Sequence, residues 1–213
     1  MTPYPNSHSR SSTPLSTLQS RCSPSSNHVQ SRPPKSPTLT SPQNGPLRLT
    51  DAELSAYDGT DPSKPVYLAL NGTIYDVTAG RHFYGPDGSY SFFAGRDATR
   101  AFITGCFDED LTPDLRGVEL AFVPREATGG EVEGGTGKEK VSAEEKTRRE
   151  REWRAARKRV VDTVEGWATM FRGEGGKDYF RVGEVVREEG WLEKLPVREL
   201  CGRAQKTRPK RKD

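Results

Sequence analysis

The alternation of apolar and polar positions becomes informative at Leu47-Arg48-Leu49. This run leads into Thr50-Asp51-Ala52-Glu53, a capping box in which Thr50 and Glu53 satisfy each other's free amides. The helix it starts is short, because Asp58-Gly59 and Asp61-Pro62 stop it. Val66 to Leu70 and Thr73 to Val77 are strand-like runs joined by Asn71-Gly72, and both linking residues accept positive φ, which predicts a β-hairpin. From Thr78 to Ser91 the chain turns at Gly80, Gly85-Pro86 and Asp87-Gly88, carrying His82, Phe83, Tyr84 and Tyr90. A loop this dense in aromatics and glycines has a shape to hold. Asp97 is the expected N-cap of a helix through Ala98, Ala101, Phe102 and Ile103 that ends near Gly105, and Leu115 to Phe122 reads as another short strand.

In the second half, residues 125–140 are rich in Gly, Glu and Lys and read as a flexible insertion. A long helix begins at Ser142, with Glu145 completing a second capping box. Its apolar positions Trp153, Val160, Val164, Trp167 and Phe171 are spaced 7, 4, 3 and 4, which makes one stripe. Arg148 to Arg159 is strongly charged around that stripe, as the solvated face of a docked helix or as a partner-binding coiled coil. Gly173 ends the helix, and a final element from Val182 to Trp191 packs Val185, Val186 and Trp191. The pattern is α+β: helix, hairpin, aromatic loop and helix, closed by a long extra helix.

Charge sharpens the boundaries. Residues 1–46 hold twelve Ser, nine Pro and five Thr, four Lys/Arg and no acid. Such a stretch buries too little apolar surface to offset its ordering entropy, so a disordered tail is expected. It resembles a transit peptide in lacking acids, but nine prolines oppose the amphipathic helix such a peptide needs. Residues 204–213 form a basic tail, for which a solvated end is the simplest reading and a nuclear signal, phospholipid or nucleic-acid contact the alternatives. Between them, residues 47–203 carry 24 basic and 29 acidic side chains, a net −5, which weighs against nucleic acid as the main partner. The division is therefore 1–46 tail, 47–123 core, 124–141 insertion, 142–203 long helix with closing elements, and 204–213 tail. No apolar run is long enough to span a bilayer. Cys22, Cys106 and Cys201 are odd in number and far apart, which argues against a disulfide scaffold or zinc site and for a reducing compartment, with Cys106 a buried small hydrophobe.

Catalytic chemistry is poorly supplied. Of His8, His28 and His82, only His82 falls in the folded body, so a two-histidine metal site is excluded there. No phosphate-binding glycine motif occurs and the carboxylates form no acid/base pair, so the chain reads as a non-enzyme. Tyrosine with glycine stands out in Tyr84-Gly85-Pro86-Asp87-Gly88-Ser89-Tyr90. A phenolate can hold ferric iron as an axial heme ligand; the alternative for Tyr90 is a ring packed on the loop with its hydroxyl hydrogen-bonded.

Val66 to Thr78, Gly80 to Tyr90 and Phe93 to Arg100 closely resemble the membrane-associated progesterone receptor family, a branch of the cytochrome b5-like heme/steroid-binding domains. The likeness runs from about Leu49 to Phe122, with weaker similarity from Trp167 to Gly183. It implies a cytochrome b5-like fold binding heme (iron protoporphyrin IX), with Tyr90 as the iron ligand. Tyr84 would lie against the heme and Tyr179 would be a further pocket tyrosine. The family often has lysine directly before that last tyrosine; here Asp178 intervenes, and Lys177 is the cation offered to a propionate. The resemblance further implies association with cytochrome P450 enzymes and sterol metabolism, a steroid or lipid ligand, and a homodimer through heme stacking. It places the protein at the endoplasmic reticulum or endomembranes. Many members carry an N-terminal membrane helix and this sequence shows none, which leaves open a soluble paralogue with a cytoplasmic location or an anchor missing from this sequence. A heme-independent lipid- or steroid-binding module and an adaptor working through the long helix are the competing functions.

Overall fold

The computed structural model describes residues 45–128 and 141–211. The Ser/Pro-rich stretch up to residue 44 and most of the Gly/Glu-rich insertion, 129–140, lie outside the described residues. Four strands form one sheet: β1 (Leu47–Leu49), β2 (Tyr67–Leu70), β3 (Thr73–Asp76) and β4 (Phe180–Val185), in the spatial order β1-β4-β3-β2. The hairpin of β2 and β3 has the expected register, Leu70 opposite Thr73, with Asn71 at φ 50° and Gly72 at φ 74°. β4, the last strand in sequence, lies between β1, to which it is parallel, and β3, to which it is antiparallel. Of the final element expected at 182–191, Val182–Val185 belongs to this interior strand, and residues 186–191 leave it as irregular chain and turn.

Strand periodicity sorts the core onto the two faces of the sheet. Leu68 and Leu70 point with Val66, Tyr75 and Val77 into the larger cluster, which contains Phe93, Phe102 and Phe171. Tyr67, Ala69 and Ile74 point the other way, onto Leu54 and the partly buried Leu47, Leu49, Val182 and Val185. The outer edge of β2 is covered by the following loop: Gly95 N–H donates to Tyr67 C=O at 2.7 Å and Ala69 N–H to Arg96 C=O at 2.9 Å.

The described residues also form the helices α1 (Asp51–Leu54), α2 (Arg81–Tyr84), α3 (Thr99–Thr104), α4 (Ala143–Phe171) and α5 (Gly202–Thr207). The Thr50/Glu53 capping box forms as expected. At α4 only half of the second box forms: Ser142 accepts from Glu145 N–H at 3.2 Å, while the Glu145 carboxylate turns to Arg149 and Arg211. The stripe on α4 behaves as its spacing predicts, with Phe171 fully buried and Val164 and Trp167 packed on the larger core cluster. Trp167 Nε1 also donates to Phe102 C=O at 3.2 Å, fixing α4 to α3.

Four expectations are corrected. Residues Val118–Ala121 form a single 3-10 turn instead of a strand, since Gly117 enters at φ 78° and breaks the extended run. Asp97 does not cap α3 in the expected way; Ala98 occupies the N-cap, and the Asp97 carboxylate serves Thr99, the Gly72 N–H at 2.9 Å and Arg187 at 3.1 Å, tying the hairpin turn to β4's end. Cys106 and Cys201 are joined in a disulfide across 95 residues, so the sequence distance that argued against pairing is closed by the fold. The basic end is docked: Ala204 is buried, Arg208 donates to Val123 C=O, and Arg211 bonds Glu145 and Glu152 of α4. Complementary carboxylates on α4 make docking favourable where a bare cluster of cations would stay in water.

Candidate functional site

The residues singled out in the aromatic loop converge. α2 delivers Tyr84, and Tyr90 follows after a loop whose path is set by backbone bonds from Gly85 N–H to Arg81 C=O at 2.7 Å and from Tyr90 N–H to Phe83 C=O at 2.9 Å. A side chain at Gly88 has no room, because its Cβ would come within 2.9 Å of Phe83 Cα and closer still to the Phe83 carbonyl. Arg81 anchors the loop's near end by donating to Gly59 C=O at 3.1 Å and to Lys64 C=O.

Tyr90 stands 43% exposed with Phe83, 40% exposed, beside it. Its ring lies 6.3 Å from those of Phe92 and Phe93 and 6.2 Å from that of Tyr84. Phe93 continues into Phe102 at 4.4 Å and Phe107 at 5.2 Å, so an aromatic layer runs from the open face into the core. Tyr84 and Tyr179 are buried and meet edge-on at 6.1 Å. Tyr179 precedes β4, so the strand inserted into the middle of the sheet is what brings it here.

Gly80 makes that meeting possible. A Cβ there would press on the Tyr179 hydroxyl and stand 3.1 Å from Tyr84. Burial pushes the Tyr84 phenol above the ordinary tyrosine range, and the neighbouring Tyr179 and Tyr90 add to the effect. Burial also raises Tyr179, partly offset by its hydrogen-bonding interaction with Tyr84. In both rings burial opposes ionisation.

Lys177 is exposed in the turn between α4 and β4. His82 is exposed too, its ring 3.9 Å from Phe83, and is the only histidine among the described residues. One exposed phenol on an apolar aromatic ledge, with two neutral phenols behind it, fits a flat porphyrin held through a single oxygen donor. Among the described residues no second histidine accompanies His82 to make a two-histidine cytochrome site.

Sequence reasoning identified the tyrosines but missed Gly80 and the Phe92-Phe93-Phe107 layer, for which adjacency of Phe92-Phe93 to Tyr90 was the available signal. A separate cavity of about 430 Å³, lined by Asn71, Asp97, Leu115, Arg116, Arg187 and Trp191 among others, shares no residue with the tyrosine cluster.

Residues 50–185 match the family model described as "Cytochrome b5-like Heme/Steroid binding domain". The chain is 48% identical over 73 residues to "Probable steroid-binding protein 3" of Arabidopsis thaliana, covering 34% of this chain and 73% of that protein. It is 47% identical over 85 residues to "Membrane steroid-binding protein 2" of the same plant, 36% of each chain, and 56% identical over 63 residues to "Neuferricin" of Danio rerio, 30% of this chain and 24% of that one. The match spans roughly a third of the length of the membrane steroid-binding proteins. A solved Arabidopsis thaliana protein with a cytochrome b5 like fold is 30% identical at TM-score 0.41, covering 68% of this chain and 94% of that one. The fold is cytochrome b5-like, and the chain belongs to the membrane-associated progesterone receptor branch of the heme/steroid-binding domain family.

Proposed function

We propose that this domain binds heme through Tyr90. The observation that carries the reading is the exposed Tyr90 phenol on its aromatic ledge, backed by two phenols whose ionisation is opposed. Bound ferric heme would supply a Lewis-acidic iron. Tyr90 Oη gives up its proton to solvent, to which the ring is open. Tyr84 and Tyr179 keep theirs and donate hydrogen bonds from behind. Phe83 and Phe92, backed by the buried Phe93, would offer an apolar face that excludes water, and the exposed Lys177 would be the cation for a propionate carboxylate. With Tyr90 as the one protein oxygen donor, the exposed ledge would leave room for a second ligand or for a second heme-loaded copy, and hence a homodimer.

The module supports cytochrome P450 enzymes and sterol metabolism as a binding partner, without a reaction of its own. Titration of hemin into the recombinant chain tests this. Wild type should give a tyrosinate-type ferric spectrum that Tyr90→Phe loses together with affinity; identical spectra and affinities would remove Tyr90 as the ligand.

A second reading takes a steroid on the same apolar ledge without iron, and the names of the relatives favour it. Sterol uptake that competes with hemin in a protein that never retains iron would replace the heme assignment. An adaptor role for α4 is not testable by deleting the helix, because Phe171 and Trp167 belong to the core.

A further inference from the structure

We propose that the exposed face of the first half of α4 docks on an anionic phospholipid surface, independently of what the tyrosine site binds. Residues 146–159 hold eight Lys/Arg against two Glu, within a body whose net charge is −5. Some of these cations are committed: Arg149 pairs with Glu145 at 2.7 Å, Arg148 with Glu152 at 3.4 Å, Lys158 with Asp162 at 2.6 Å, and Arg159 lies over the Phe122 ring. Arg151, Arg154 and Arg157 are exposed and, among the described residues, form no ion pair. Three-residue spacing places them in succession along one side of the helix.

Apolar groups accompany them. Trp153 is half-buried in a shallow groove with Arg149, Arg154, Arg157 and one carboxylate, Glu150, and Val161, one turn beyond Arg157, is 66% exposed. The docked C-terminal segment adds exposed Lys210 beside Arg211, which is itself seated on Glu145 and Glu152.

Charge complementarity selects the partner. The guanidiniums stand along a convex rod of 29 residues, about 43 Å long, with no walled pocket to grip one phosphate or one peptide side chain. A row of this kind matches a continuous sheet of negative charge, and snorkelling arginines with a half-buried indole suit the headgroup region of a bilayer. The acidic remainder of the body is repelled from the same surface, so one orientation is favoured. Along the axis, Arg154 lies about 20 Å from Trp167, where α4 joins the core, so docking leaves the tyrosine ledge uncovered.

The test is sedimentation of the full chain with phosphatidylcholine vesicles with and without phosphatidylserine, at low and high salt. Wild type should bind only the anionic vesicles and lose binding as salt rises. The triple variant Arg151→Glu, Arg154→Glu, Arg157→Glu should bind about 100-fold more weakly, from roughly fivefold per arginine, while taking up hemin as wild type does. The triple Lys variant at the same positions should retain binding, since a bilayer reads charge and not the guanidinium fork. Equal binding by wild type and the Glu variant overturns the proposal. So does loss of binding in the Lys variant, which would indicate a protein or phosphopeptide partner, or salt-dependent RNA binding without vesicle binding.

Discussion

Breaking the Cys106–Cys201 bond should be the largest single covalent perturbation open to this fold. The bond closes a loop spanning 95 residues of sequence separation. Loop-closure entropy of that length, restored to the unfolded chain on reduction, corresponds to about 4.7 kcal/mol at 25 °C, a substantial part of the stability of an ordinary domain. The native side of the equilibrium should change little. The segment leading to Cys201 stays tied by Arg100 to the carbonyls of Arg198 and Glu199, and by Arg116 to those of Leu195 and Pro196. The assay is urea unfolding followed by tryptophan fluorescence, with and without reductant, in a Cys22→Ser background that rules out mispairing. Reduction should lower the midpoint and raise the slope, because the uncrosslinked unfolded chain exposes more surface. Denatured, unreduced wild type should show one thiol to a labelling reagent, and reduced protein three. A midpoint and slope unmoved by reductant, or three thiols without it, would refute the reasoning.

Other outcomes follow from single contacts. Arg100 is fully buried, with Nε on Asp110 at 3.1 Å and its other nitrogens on four carbonyls, so Arg100→Ala should cost about 3–5 kcal/mol in urea unfolding by stranding a carboxylate. Gly80→Ala should cost about 1–3 kcal/mol and weaken hemin uptake, because the added methyl separates Tyr84 from Tyr179. The hydrogen bonds from Arg116 hold the Asp114 carboxyl below the usual aspartate range. Its contribution is present above the unfolded pKa of about 4 and lost as pH falls through the lower folded value. Arg116→Ala should therefore move acid unfolding to higher pH, monitored by circular dichroism across the acid range.

How much was legible depended on how local the cause was. The Thr50/Glu53 box, the Asn71-Gly72 turn and the α4 stripe are written in residues a few positions apart, and each formed as its spacing predicts. The tyrosines of the aromatic loop were visible for the same reason, and family resemblance supplied the roles that composition left open. What escaped was long-range. Arg100 looks like any surface arginine in Thr99-Arg100-Ala101 until residues 198 and 199 arrive to use it. Cys201 looks unpaired until the chain returns to Cys106. Leu115 to Phe122 has the apolar content of a strand, but the left-handed Gly117 near its start turns the chain out of the extended region. Arg211 looks solvated in its basic neighbourhood because its partners, Glu145 and Glu152, lie about sixty residues upstream.

The position of β4 has a consequence for how the chain matures on the ribosome. β1 is made early, yet its hydrogen-bonding partner is residues 183–185. β3 likewise waits for residues 180–184. Until those residues emerge, the nascent protein carries two open strand edges, and Tyr84 lacks the ring that abuts it. Parallel pairing across so much sequence is slow, and the waiting edges are exposed to neighbouring chains. A nascent chain that has emerged only as far as Phe171 would therefore lack the middle strand, and that species is the one on which chaperones and proteases would act.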